Sequence, residues 1–180
     1  FENNLDDWTT ETEFSDPDLF VERSNNYSTD GSYSMRIYAE NLGDYARAYL
    51  DDQNLSFDSF TVEFDIRFVY KSNWAFHLRI YDVNDNANVY IRWNYQKDLE
   101  NREGSNWNTI TPFSFDTWYS IKLVIDYSSN KFDLFVDGNL EGSNMGFWNN
   151  ASGNANQFRF TAEGWGVNQA EGYIDNFKIY

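Results

Sequence analysis

Three stretches of the chain repeat one arrangement, with a phenolic, cationic or amide side chain at every second position and apolar residues between. Tyr45, Arg47 and Tyr49 alternate with Ala46, Ala48 and Leu50. His77, Arg79 and Tyr81 alternate with Phe76, Leu78 and Ile80, and Tyr90, Arg92 and Asn94 with Val89, Ile91 and Trp93. Successive side chains of a β-strand point to opposite faces, so each polar set shares one surface. Phenol rings supply flat apolar area, while guanidinium, imidazole and amide groups supply directed donors. Such a surface suits a ligand that combines C–H patches with dense hydroxyls, which is the chemistry of a saccharide. Cross-strand aromatic and cation–π pairing on a solvated sheet is the competing reading. The near absence of Lys and Glu from these positions favours a groove on a concave sheet.

The tryptophans divide into two groups. Trp8 and Trp118 sit at strand-like positions, Trp93 falls in register with apolar residues, and all three are expected in the core. Trp107, Trp148 and Trp165 lie instead in polar or glycine-rich text, such as Gly104-Ser105-Asn106-Trp107-Asn108. They are expected as stacking platforms on loops, or as lids over the end of the fold. Asp82-Val83-Asn84-Asp85-Asn86 has the spacing that opens a calcium-binding EF-hand loop, but lacks its glycine at the sixth position and its glutamate at the twelfth, which is Trp93. A polar hairpin turn accounts for it.

The elements that must position these residues are strands. Alternation is cleanest from Ser59 to Tyr70, and it recurs at 33–38, 45–50, 74–81, 89–95, 118–126, 132–136, 157–161 and 173–180. Turn chemistry separates the runs, notably Asp30-Gly31, Ser128-Ser129-Asn130 and Asp137-Gly138-Asn139. No segment carries a sustained helical period. The pattern predicts an all-β fold, a two-sheet antiparallel sandwich or jelly roll, with a barrel as the alternative. Two prolines and no linker-like run predict one domain over residues 1–180.

Composition narrows the partners. Against 29 Asp and Glu stand 13 Lys and Arg, a formal net charge of −16, which disfavours nucleic acid and anionic membranes. Aromatic residues make up 20% of the chain, more than one core of this size needs, so some rings are expected at the surface. Without cysteine there is no disulfide or thiolate chemistry. No apolar run approaches the roughly 18 residues that cross a membrane as a helix. The chain opens at Phe1 with neither initiator Met nor signal peptide, so a mature or excised piece tethered to other domains is expected.

Four stretches resemble known families. Phe1-Glu2 with Leu5-Asp6-Asp7-Trp8, then Thr29 to Arg36, and then Tyr173 to Tyr180 are similar to the opening, early and closing strands of jelly-roll carbohydrate-binding modules. Asp116 to Asp126 followed by Lys131 to Gly138 resembles the hairpin of concanavalin A-like (laminin G-like) domains. The resemblance implies a non-catalytic module of a secreted or cell-surface protein, recognising a polysaccharide. It also implies a structural calcium ion held by Glu2, Asp30, Gly31 through its carbonyl, and Asp175, all hard oxygen ligands.

Enzymes share this superfamily. Laminarinase-type glycoside hydrolases carry E-x-D-x-E on one strand; the nearest text here, Glu63-Phe64-Asp65-Ile66-Arg67, ends in a cation, so the acid–nucleophile pair is not built from it. The first alternative function is a polysaccharide lyase acting on uronate polymers, with arginines neutralising the carboxylate and a His77–Tyr pair moving protons. The second is a laminin G-like adhesion domain.

Overall fold

The computed structural model describes residues 5–12, 19–40, 44–55, 59–69, 74–164 and 169–180, and of Trp74 the backbone alone. Among them there are fourteen strands and no helix. In chain order these are β1 (Thr9–Thr12), β2 (Phe20–Ser24), β3 (Ser34–Ala39), β4 (Tyr45–Leu50), β5 (Ser59–Val69), β6 (Trp74–Asp82) and β7 (Ala87–Asn94). They continue as β8 (Asp98–Glu103), β9 (Asn106–Pro112), β10 (Trp118–Asp126), β11 (Lys131–Val136), β12 (Asn139–Gly146), β13 (Ala155–Gly164) and β14 (Ala170–Ile179). Two antiparallel seven-stranded sheets result, ordered β1-β4-β13-β6-β7-β8-β9 and β12-β11-β10-β5-β14-β3-β2. The late strands β13 and β14 therefore lie inside the two sheets, each between much earlier segments.

Alternation explains the layering. On β5, Phe60, Val62, Phe64, Ile66 and Phe68 are buried while the residues between them are at least partly accessible. These side chains meet the inner face of the other sheet ring on ring: Phe64 on Phe160 at 5.1 Å between centroids, and Phe68 on Trp93 and Phe76 at 5.3 and 5.4 Å. Each such buried ring contributes roughly 1.5–3 kcal/mol by leaving water. Trp93 lies in the core as expected and Trp8 packs against its margin, whereas Trp118, expected inside, is half-buried at the start of β10.

The turns behave as their residues dictate. Asp137 and Gly138 both have positive φ, +50° and +80°, the geometry of a two-residue type I′ loop between β11 and β12. Asp126 accepts from the amides of Ser128 and Ser129 at 2.9 and 3.2 Å, closing the β10–β11 turn.

Five strands lie outside the expected runs: β1, β2, β8, β9 and β12. Four of these are the edges of the two sheets. Edge strands here bury little of either face, as the exposed text Asn139–Gly146 shows, so no period-two pattern marks them. β9 carries Trp107, which corrects its expected placement on a loop.

Candidate functional site

The outer face of the sheet β1-β4-β13-β6-β7-β8-β9 gathers all nine alternating residues picked out from β4, β6 and β7. Strand pairing arranges them in rows. One row runs Glu11, Arg47, Thr161, His77, Arg92, Glu100, each directly opposite the next. The adjacent row runs Tyr49, Arg159, Arg79, Tyr90. Tyr81 lies opposite Gln157, Tyr45 opposite Glu163, and Asn94 opposite Ala75. β4 and β6 are not neighbours, because β13 lies between them and adds Gln157, Arg159, Thr161 and Glu163. Those four alternate with Phe158, Phe160 and Ala162, and the expected strand run 157–161 holds the first three of them. Applying the same parity test to β13 finds them.

Cation–π stacking organises the surface. Arg47 lies 3.5 Å from the Tyr45 ring centroid and 3.6 Å from Glu11 Oε2. Arg92 stacks on Trp107 at 3.6 Å while its Nε donates to Glu100 Oε2 at 2.6 Å. Arg79 lies over Tyr90 at 4.3 Å, and Arg159 over Tyr81 at 4.4 Å. These stacks fix long side chains that would otherwise lose rotamer freedom only on meeting a ligand.

The floor of the face is a buried polar triad. His77, 4% exposed, holds its Nδ1 at 2.6 Å from the Tyr90 hydroxyl, which also accepts from Arg79 Nη2 at 2.7 Å. The phenol oxygen is thus shared between the Arg79 guanidinium and the His77 ring. Nε2 lies 3.3 Å from Glu163 Oε2, in a direction that makes no hydrogen bond. Burial first, then the positive charges of Arg79, Arg92 and Arg47, hold the imidazole well below its ordinary pKa, so it stays neutral. Burial likewise raises the Tyr90 phenol despite Arg79. Asn94 is also buried, its Nδ2 donating to Glu100 at 2.8 Å and its Oδ1 accepting the amides of Gln96 and Asp98. His77, Tyr90 and Asn94 thus lie beneath the reachable surface, which Tyr45, Arg47, Tyr49, Arg79, Tyr81 and Arg92 form.

One side of the face is hollowed into a cleft of about 320 Å³, lined by Arg79, Tyr81, Tyr90, Arg102, Trp148 and Asn149, with Asp85, Asn86 and Ala87 alongside. That is the small end of the range for ligand pockets. Trp107 and Trp148 each stand 4.9 Å from the Tyr90 ring, and Arg102 lies 4.8 Å from the Trp148 ring. Both indoles are half-buried on this face; Arg102, which the reading of the sequence missed, sits on β8.

The loop bearing Trp148 is tied to the β6–β7 region. The Trp148 amide donates to the Asn88 carbonyl at 2.7 Å, and Asn149 Nδ2 to the Ala87 carbonyl at 2.9 Å. Asp82, 2% exposed, accepts the amides of Asn84, Asn86 and Ser152 and the Ser152 hydroxyl, at 2.9 to 3.1 Å. Burial would raise the pKa of this carboxylate, but the donors from Ser152, Asn86 and Asn84 outweigh it and hold it below the ordinary value. The Asp82–Asn86 segment is therefore a capped hairpin turn.

The calcium set is distributed differently. Glu2, like Trp165, lies outside the described residues. Asp175 Oδ2 accepts the Thr29 amide at 2.8 Å, the Thr29 hydroxyl at 3.1 Å and the Asp30 amide at 3.3 Å, while Oδ1 accepts the Asn176 amide at 2.9 Å. Asp30 reaches Asp175 through its backbone, and the Gly31 carbonyl accepts from Ser28 Oγ at 3.2 Å. Among the described residues no three acidic, His or Cys side chains converge. Within the set, Asp175 and the Gly31 carbonyl thus accept from protein donors.

Glu63, Asp65 and Arg67 face outward from the opposite sheet. They meet Lys122 at 3.4 Å, the Thr29 hydroxyl at 2.7 Å and Asp116 at 3.1 Å respectively. They form no paired-carboxylate site.

An antiparallel two-sheet jelly roll with rings and arginines on one outer face is a concanavalin A-like sandwich of the carbohydrate-binding kind. Residues 26–163 match the family described as "Sialidase-like, CBM domain", and the chain belongs to that family of carbohydrate-binding modules. Solved structures share the fold at low identity. A sialidase superimposes with a TM-score of 0.80 at 16% identity, over 98% of this chain and 17% of its own. The endo-β-1,4-glucuronan lyase of the fungus Trichoderma reesei gives 0.69 at 13%, over 99% and 92%. A structure titled for the promiscuous specificity of carbohydrate-binding modules of the β-sandwich superfamily gives 0.56 at 12%, over 98% and 58%. This chain thus spans less than a fifth of that sialidase's length. No curated protein matches it.

Proposed function

We propose that the domain holds a polysaccharide segment on the outer face of the β1–β9 sheet without altering it, as the targeting module of a larger secreted or cell-surface glycan-active protein. One observation carries the reading. Among the described residues eight buried side-chain polar atoms lack a hydrogen-bond partner, and six belong to this face: Arg47 Nε, His77 Nε2, Arg79 Nε, Gln157 Oε1, Arg159 Nε and Thr161 Oγ1. An unpaired buried polar group costs about 1–3 kcal/mol, so their concentration on one surface marks a face kept polar at a cost to stability, which a surface presenting guanidinium and phenol groups to a ligand would explain. Hydroxyl-rich chains supply acceptors for the accessible guanidinium groups, and the Tyr and Trp rings supply platforms for the sugar C–H faces.

The test is affinity electrophoresis against a polysaccharide panel, with Arg92→Ala and Trp148→Ala as variants. Both are expected to weaken retention about tenfold with an unchanged melting profile. A panel on which the wild-type domain is never retarded ends the reading.

A lyase reading has one observation in its favour, the short Arg79–Tyr90–His77 chain. Weighing against it, His77 and Tyr90 are 4% and 5% exposed, and the phenol is raised, the wrong direction for a base. Unsaturated product from a uronate polymer, lost in His77→Ala, would establish it. The adhesion reading calls for an exposed aromatic patch elsewhere. Among the described residues the exposed large apolar ones, Tyr27, Val83, Tyr95, Leu140 and Tyr180, come from five separate segments. The calcium ion is a separate proposal: Asp175 and the Gly31 carbonyl are the right kind of ligand, and Asp175 would exchange its Thr29 and Asp30 amides for the ion.

A further inference from the structure

Two of the positive charges on this face, Arg47 and Arg92, are neutralised by carboxylates, while the arginine pair between them is not. Arg47 on β4 meets Glu11, and Arg92 on β7 meets Glu100, at 3.6 and 2.6 Å. On the opposite sheet, Arg36 and Arg67 also meet carboxylates, at 2.8 to 3.1 Å. Arg79 and Arg159 differ. They sit directly opposite one another on β6 and β13, and no carboxylate among the described residues pairs with either. Their neighbours are phenols: Arg79 Nη2 donates to Tyr90 and Arg159 Nη1 to Tyr81, at 2.7 and 3.2 Å. A phenol oxygen accepts a hydrogen bond without cancelling charge.

Like charges placed directly across a strand pair destabilise a sheet. In a chain with 29 acidic residues and 13 basic ones, carboxylates are plentiful, yet two facing arginines are left without one. Arg79 also lines the cleft, where Arg102 is a second cation with no carboxylate partner among the described residues. The one carboxylate lining it is the exposed Asp85 in the β6–β7 turn. Beside the arginine pair, Thr161 Oγ1 and His77 Nε2 belong to residues 3% and 4% exposed and have no hydrogen-bond partner. A planar fork of guanidinium donors is the geometry that holds an oxyanion in two-point contact.

We infer that Arg79 and Arg159, with Arg102 at the cleft, form an anion subsite, so that the glycan this face selects carries a carboxylate or sulfate on the sugar seated there. This rests on the carbohydrate-binding reading above and assigns the ligand's charge class. The flanking Arg47 and Arg92, already neutralised by Glu11 and Glu100, serve as donors to uncharged hydroxyls.

Matched polymers test it. Glucan, galactan and mannan oligosaccharides are each prepared in neutral form, with C6 oxidised to the carboxylate, and with C6 sulfated, and titrated calorimetrically. At least one anionic form is expected to bind about tenfold or more tightly than its neutral parent, with the advantage shrinking as salt is raised. Preference for the oxidised or the sulfated form identifies the source of the anion. In Arg79→Gln/Arg159→Gln the anionic form is expected to lose about tenfold more affinity than its neutral parent, so that the anionic advantage vanishes; in Arg92→Gln all forms weaken by a similar factor. Neutral forms binding as well as their anionic partners in the wild-type domain overturn the inference and leave the carbohydrate-binding reading standing. No binding in any form overturns both. The wild-type comparison and its salt dependence need no variant to fold.

Discussion

Asp82 offers the sharpest link between stability and the binding face, and Asp82→Asn isolates it. The wild-type carboxylate serves two groups with two oxygens. Oδ1 takes the Asn84 and Asn86 amides at 2.9 and 3.1 Å, and Oδ2 takes the Ser152 amide and hydroxyl at 2.9 and 3.0 Å. Asparagine keeps the size and one oxygen. Facing that oxygen toward the turn points its NH₂ at the Ser152 amide, donor against donor. One buried amide is then orphaned, and the remaining bonds lose their charge assistance. An orphaned donor costs about 1–3 kcal/mol and charge assistance is worth roughly 1 kcal/mol more, so a loss of about 2–4 kcal/mol is expected. For a domain of this size that lowers Tm by roughly 5–15 °C.

Urea unfolding at neutral pH measures the loss, and pH adds a second readout. The folded-state pKa of Asp82 lies below its ordinary value of 3.8, so its contribution is complete above that pH and fades as pH falls through the folded value. The gap between the wild-type protein and Asp82→Asn must therefore narrow below about pH 4. Because Ser152 follows the Trp148 loop, the variant should also bind glycan more weakly. A stability loss under about 0.5 kcal/mol, or a gap that stays constant into acid, refutes the reasoning.

Three further outcomes are expected. Gly172 on β14 faces Phe76, and an added Cβ would sit 2.5 Å from its ring, which is fully enclosed; Gly172→Ala should cost about 1–3 kcal/mol in urea, partly recovered by Phe76→Leu. His77, the sole histidine, is neutral in the fold, so the unfolded chain takes up a proton that the folded one refuses below about pH 6.5; stability should decline there in the wild-type protein and stay flatter in His77→Gln, with imidazole NMR shifts unmoved from pH 8 to about 6. If Glu2 completes a calcium cage with Asp175, a chelator lowers Tm by several degrees; an unchanged midpoint leaves Asp175 as the acceptor for Thr29 and Asp30 alone.

Much of this was legible from parity. Where a strand buries one face, as Phe60 to Phe68 do on β5, the period-two pattern states both the element and its inner side. The same rule set Arg47, Arg79 and Arg92 on one surface. Parity says nothing of strand order, so β13 between β4 and β6 went unseen, and with it the pairing of Arg159 with Arg79. Nor does it tell a reachable residue from a covered one: His77 shares the face of Arg79 but lies beneath Tyr90, which only the third dimension reveals. Trp107 was misplaced because its polar neighbours belong to an edge strand, where burial leaves no mark on composition.

Strands β13 and β14 are internal to the two sheets, each with two strands on one side and four on the other. During synthesis, the segments carrying Arg47, Arg79 and Arg92 leave the ribosome long before residues 155–179, and until those arrive each layer is missing the strand that joins its two parts. Arg79 and Arg159 therefore come together only after most of the chain has been made. A deletion that removes β13 and β14 would not trim a rim but take an interior strand from each layer, and with β13 the Arg159 half of the guanidinium pair.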